Sequence, residues 1–553
     1  MKYNNTPGLQ RALVFQGGGS LGAYEAGVFH VLYHWLKKDL SPHENVFDII
    51  AGTSIGAINA SIIINHYLEN KDKDTNITED EFLKNTLKYW EGSPEKLLNF
   101  WKKISSHSTF YDVIVSWIKN SWDFNKDITT QMFPYYKPFL DSFASGESLR
   151  RYYSTKKRIV NGEPDVFTPL FHPPFPTLLF NKFFDYSPSA WWYQYSNQPL
   201  KEVILKFVSK LKYDYHHKDG GIRTNIDKNE PRFLLVAANI KTAKPETFDS
   251  YDTTDITINH VLASAAIPIN YPYIEINENK YWDGGILSNT PVRELISSHT
   301  TFWAKKYEGN LESMLDANDN LTFDNWEHYY KTQKENHIPN LSLTIVNLHP
   351  KEEEEGHIPS PYDYDMTKDR EKDIRFHDKT DYDVKLAQDI SDYHDFVDLM
   401  TQLAHDAIKE IRDKNDVVND LKQRFEEIVN IPQRTLTRDN QQRYLYDLIS
   451  KRFDIINVLN IHRKDDEHTI SDKIFDFSSD SILNLIKEGE KNALEEIVIY
   501  EIKKQIKNDK KQIEIEESIH IQLNRFIEDV KKAITEDDEY IIRCAEIELK
   551  KKR

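Results

Sequence analysis

Half of this chain's glycines stand in three short stretches, and that placement constrains the fold more than any other feature. Of 18 glycines in 553 residues, one group is Gly17, Gly18, Gly19, Gly22 and Gly27, another is Gly52 and Gly56, and the third is Gly284 and Gly285. A chain that uses glycine so sparingly concentrates it where the backbone turns sharply or passes close to another segment. The first group follows the apolar run "RALVFQ" (Arg11–Gln16), which reads as a short buried strand, with a helix expected from about Ser20 to Lys38. The second group ends a strand, "VFDIIAG" (Val46–Gly52), and opens a helix over Ser54–Leu68. Strand, tight turn and helix, twice within about sixty residues, predict a parallel α/β core. Further strands are expected at Phe233–Ile240, Ser342–Leu348 and Ile456–Ile461, with a hairpin over Tyr273–Trp282 turning at Asn277–Asn279.

Gly52-Thr53-Ser54-Ile55-Gly56 is a G-x-S-x-G pattern at a strand-to-helix junction. That context separates a nucleophile elbow from a chance match. The glycines let the chain turn so that the Ser54 hydroxyl projects clear, above a helix N-terminus that favours developing negative charge. A serine acting only as an N-cap needs neither glycine. The hydroxyl still needs a base. Asp283, in "YWDGGILSNTP", precedes Gly284-Gly285 at the end of the expected hairpin. Alone it reads as an Asx turn; beside an elbow serine it is a candidate base. His260 and His299 bracket this third group and would suit a Ser–Asp–His hydrolase, although His260, on the helix "ITINHVLASAA", reads as a packed residue.

Gly17 to Gly22 also satisfies G-x-G-x-x-G after a strand, the spacing of a dinucleotide-binding turn. Such a site wants an acidic residue at the end of the second strand, and that strand ends "IIAGTS", with Asp48 earlier inside it. The dinucleotide reading fails there. The amides of Gly18 and Gly19 suit a carbonyl oxyanion instead.

"GGGSLG", "GTSIG" and "DGG", in this order, resemble the patatin-like phospholipase family, as do "YWDGGILSNTPV" and "HVLASAAIPINYP". The resemblance runs from about Arg11 to Leu494 and is nearest to a microbial branch with a long C-terminal extension. It implies a three-layer α/β fold with a mostly parallel sheet, an aromatic-rich insertion and a helical C-terminal extension. It also implies Ser54 as nucleophile, Asp283 as its partner in a Ser–Asp dyad, and Gly17, Gly18 and Gly19 lining the oxyanion hole, with Gly22, Gly52, Gly56, Gly284 and Gly285 supporting the motifs. Residues 1–350 would form the catalytic domain with an insertion at about 70–230, residues 351–500 a helical extension returning a strand to the core, and residues 501–553 a charged tail. Many members carry a basic residue where Leu21 stands, which argues against a preference for anionic headgroups.

Composition bounds the setting. A single cysteine, Cys544, no signal-peptide h-region and no apolar run long enough to span a bilayer lead us to expect a cytoplasmic protein. A net charge of −18 makes nucleic acid a poor partner and leaves apolar, transient contact with a membrane surface as the expected route to lipid. No cofactor is expected, and no metal: His216-His217 stands in a polar loop with no second cluster to complete a site. The expected activity is hydrolysis of lipid acyl esters. A transacylase using the same dyad and a non-catalytic scaffold are the alternatives, and the oligomeric state is left open. The aromatic residues Phe171, Phe175, Phe180, Phe183, Phe184, Trp191 and Trp192 suit either an acyl groove or lid, or a cover over the sheet.

Overall fold

The computed structural model describes residues 7–74, 85–105, 120–121, 146–170, 195–212, 220–252, 255–311, 320–328, 338–350, 364–377, 380–410, 415–432, 444–445, 453–464 and 470–508. The aromatic insertion residues named above, His216-His217 and the tail beyond Asn508 lie outside them.

Ten strands are described: β1 (Leu9–Phe15), β2 (Ile49–Thr53), β3 (Thr168–Pro169), β4 (Tyr195–Ser196), β5 (Arg232–Asn239), β6 (Lys244–Asp249), β7 (Ile274–Ile276), β8 (Asn279–Asp283), β9 (Asn340–Asn347) and β10 (Ile455–His462). All but the small β3–β4 pair join one mixed sheet of mostly parallel strands, in the order β10-β9-β1-β2-β5-β8-β7, with β6 also pairing β5. Every residue of β2 and of β5 is buried. Since successive side chains point to opposite faces, both faces are covered there, as a near-continuous apolar strand demands.

The larger helices are α1 (Gly22–Leu36), α2 (Ile55–Lys73), α3 (Ser93–Ile104), α4 (Gly146–Asn161), α5 (Gln198–Phe207), α6 (Ile258–Ser264), α7 (Val292–Leu311), α8 (Tyr364–Phe376), α9 (Thr380–Glu410), α10 (Asn415–Val429) and α11 (Ser479–Asn508). From Gly22 to Tyr33, α1 is buried on all sides. It packs so closely on α11 that a Cβ on Gly27 would lie 2.0 Å from the Ile486 carbonyl oxygen. The His30 and Glu490 side chains join across the same contact at 2.9 Å. None of the described helices is long and apolar enough to cross a membrane.

The chain forms two compact units, each built from three segments. One comprises Met1–Ala12, Val292–Leu343 and Lys379–Val458, with a core of Leu321, Phe323, Trp326, Ile408, Phe425 and Val429. The other comprises Leu13–Pro291, Thr344–Asp378 and Leu459–Arg553, and contains all three glycine groups.

Candidate active site

The pairing of β5 explains how Ser54 and Asp283 meet. One edge of β5 is taken by β6 over Leu234–Asn239. Its other edge is shared end to end. β2 runs parallel along it as far as Thr53 opposite Val236, and β8 runs antiparallel as far as Asp283 opposite the next residue, Ala237. Two strands of opposite direction therefore end face to face, and the side chains that follow or close them converge.

At that junction the Ser54 Oγ–H donates to Asp283 Oδ2 at 2.6 Å. Ser54 is held at φ 55°, a left-handed conformation that non-glycine residues seldom adopt and that strains the backbone. It immediately precedes α2, so its hydroxyl stands over the helix N-terminus. Its own N–H donates to Ser264 Oγ at 3.0 Å, and that hydroxyl donates to the Val236 carbonyl at 2.6 Å, in the gap between the two strand ends. The second carboxylate oxygen of Asp283, Oδ1, accepts the Gly285 N–H at 2.7 Å. Burial pushes Asp283 up to about 6; the Ser54 hydroxyl and the Gly285 amide pull it the other way. Ser54 and Asp283 are 7% and 5% exposed, so both are buried.

The glycine groups serve close approach. A Cβ on Gly52 would lie 2.4 Å from the Gly56 carbonyl, one on Gly56 2.7 Å from the Phe15 oxygen, and one on Gly284 2.3 Å from the Val236 oxygen. Gly22 is pressed against Ile55 and Trp101, and Gly285 against Asn289 and Asp283. In the first loop, Gly19 has φ +58°, and a Cβ there would stand 2.5 Å from the Ile474 carbonyl oxygen, so both conformation and space require glycine. The Gly17 N–H donates to the Asn289 carbonyl at 3.1 Å. That amide is engaged, and the amides of Gly18 and Gly19 have no acceptor among the described residues.

The loop is held by residues that the motifs do not reveal. Asn289 Nδ2 donates to the Gly17 and Phe376 carbonyls at 3.1 and 2.9 Å. Gln16 Oε1 accepts the Leu348 and His349 amides, and its Nε2 donates to Thr290 Oγ1 at 2.7 Å. Ser20 Oγ donates to the Lys473 carbonyl at 2.8 Å. Lys473 is buried and its ammonium donates to Asp369 Oδ2 at 3.1 Å and Asp373 Oδ2 at 2.7 Å, while Asp373 Oδ1 meets His349 Nδ1 at 2.9 Å. Leu21 is buried, so this position presents nothing to solvent.

Neither bracketing histidine is placed as the serine's base. The His260 ring nitrogen Nδ1 meets the Thr257 amide and hydroxyl in a capping box, and its ring packs on Phe248 with centroids 4.4 Å apart. Burial pulls it down to about 4. His299 belongs to the other compact unit, where its Nε2 meets the Pro339 carbonyl at 2.7 Å.

Comparison with known proteins agrees with the motifs. The model of a family described as Patatin-like phospholipase matches residues 13–296. Among solved structures, VipD from Legionella pneumophila aligns with 12% identity over 96% of this chain and 80% of that one, at a TM-score of 0.25. No curated protein matches.

Proposed function

Because the chain belongs to the patatin-like phospholipase family, we propose that it is a lipid acyl hydrolase whose nucleophile is Ser54 and whose base is Asp283. The reading is carried by one observation: a serine hydroxyl on a strained strand-to-helix turn, 2.6 Å from a buried carboxylate. Ser54 Oγ attacks the ester carbonyl as Asp283 takes its proton. A carboxyl near 6 is charged at neutral pH yet basic enough to share that proton in the transition state. The Gly18 and Gly19 amides receive the oxyanion, and the N-terminus of α2 adds favourable potential. The alcohol leaves with the proton from Asp283. Water then attacks the acyl-enzyme as Asp283 takes its proton, and the intermediate collapses with that proton passing to Ser54 Oγ, releasing the fatty acid and restoring the starting pair.

A single cysteine and the acidic composition suit a cytoplasmic enzyme that meets lipid only at a surface. Fatty-acid release from phosphatidylcholine, hydrolysis of p-nitrophenyl butyrate and labelling by a fluorophosphonate test the reading together. Wild type is expected to do all three. Ser54→Ala should lose the label and about 10⁴-fold or more of the hydrolysis. Labelling or turnover that survives Ser54→Ala refutes it.

A further inference from the structure

The turn after α6 carries a side chain that is costly to the fold. Ile269 is 73% exposed and has φ 71°. A β-branched residue at positive φ is a clear steric outlier, and following Pro268 it occupies a position that turns usually give to glycine or asparagine. Strain combined with an exposed apolar side chain favours neither stability nor solubility, so the residue is a functional candidate.

The feet of this turn rest on the site just described. The Asp283 N–H donates to the Ala266 carbonyl at 2.9 Å, and the Tyr271 N–H to that of Ile267. Burial first, then Tyr195 and Asp283, push the Tyr271 phenol upward, so Tyr271 lies within the field of the carboxylate. On the other side of Asp283, directly after Gly284-Gly285, Ile286 and Leu287 are 48% and 39% exposed. Exposed apolar side chains thus follow each partner of the Asp283–Ala266 hydrogen bond within three or four residues, on two separate segments. With a net charge of −18, the chain has little to draw it to an anionic surface electrostatically, and burial of apolar side chains needs no such attraction.

We infer that Ile269, Ile286 and Leu287 form an apolar rim that docks the candidate active site onto the surface of a neutral lipid aggregate. The inference rests on the hydrolase reading of that site, which supplies the reason for bringing it to an aggregated substrate. Ile269 is the leading side chain, held outward by the strained turn.

The test uses the full chain, an Ile269→Gly variant and an Ile286→Ser/Leu287→Ser double variant. Co-sedimentation with phosphatidylcholine vesicles is read beside hydrolysis of monomeric p-nitrophenyl butyrate. Ile269→Gly should melt no lower than wild type, turn over the monomeric ester at the wild-type rate, and bind vesicles about tenfold more weakly, the scale of one buried aliphatic side chain. The double variant should likewise lose vesicle binding with monomer turnover retained. Unchanged sedimentation in both variants overturns the rim. So does an equal fall on monomer and vesicles, which would make these residues part of an acyl pocket. Sedimentation needs no turnover, so a chain inactive on every ester refutes the hydrolase reading while the rim is still judged by binding.

Discussion

Asp283 carries its charge in the interior, where its recorded partners are one hydroxyl and one amide. Burial raises it to about 6, whereas the unfolded carboxyl titrates near 4. A carboxyl whose folded value is raised binds its proton more tightly in the native state. The stability this gives is full below about pH 4 and is lost as pH rises through about 6. At neutral pH the charged form therefore costs the fold roughly 3 kcal/mol relative to the protonated one. Asp283→Asn should accordingly be more stable than wild type at pH 7, nearly equal to it at pH 4, and inactive. Denaturant midpoints at the two pH values check this, and a variant no more stable at pH 7 contradicts it. Wild-type activity should rise through about pH 6 as the base deprotonates. At this scale the sequence shows the two side chains that the fold pairs and hides their supports. Ser54 and Asp283 are legible because short motifs bracket each of them. Ser264, Asn289 and Gln16 are not, because their partners are 210, 272 and 274 residues away and each is an ordinary polar residue in its own neighbourhood.

The first glycine loop is fixed less by its own residues than by α8 and the Lys473–Phe475 turn. The Lys473 ammonium lies between two buried carboxylates of α8, its carbonyl takes the Ser20 hydroxyl, and the next carbonyl lies over Gly19. Removing one member of a buried ionic group leaves the others uncompensated, at a typical cost of about 3–5 kcal/mol. Lys473→Met should lose stability on that scale in chemical denaturation, and Lys473→Met with Asp373→Asn should recover part of it; a loss under about 1 kcal/mol would mean the cluster is not a clamp. Ser20→Ala is the milder probe. It should lower kcat several-fold with KM unchanged, since it loosens the Gly18 and Gly19 amides without touching substrate. The elements themselves follow the sequence where apolar residues dominate a short run. The apolar runs expected as strands coincide with β1, β2, β5, β9 and β10 to within a few residues, and the hairpin turns at Asn277-Glu278. β6 escapes that reading: "KPETFD" pairs with β5, is mostly half-exposed, and shows no apolar alternation.

At the scale of the whole molecule, charge bears on which lipid surface the proposed hydrolase would approach. The net −18 is spread over a chain with 89 acidic and 71 basic residues. Leu21, where a basic residue would have stood beside the glycine loop, is buried and neutral. An anionic vesicle would therefore repel the molecule at long range, with no cation at position 21 to offset it; a zwitterionic surface would not, leaving apolar burial to drive the proposed docking. Replacing part of the phosphatidylcholine in vesicles by phosphatidylglycerol should slow fatty-acid release several-fold at low ionic strength. The slowing should shrink as salt is raised, because the Debye length contracts from about 30 Å at 0.01 M to about 10 Å at 0.1 M. Monomeric p-nitrophenyl butyrate, which is uncharged, should show no such salt dependence. If anionic lipid instead accelerates release, or the slowing is the same at every salt concentration, then a local basic patch or a headgroup fit governs the encounter and the long-range argument is wrong.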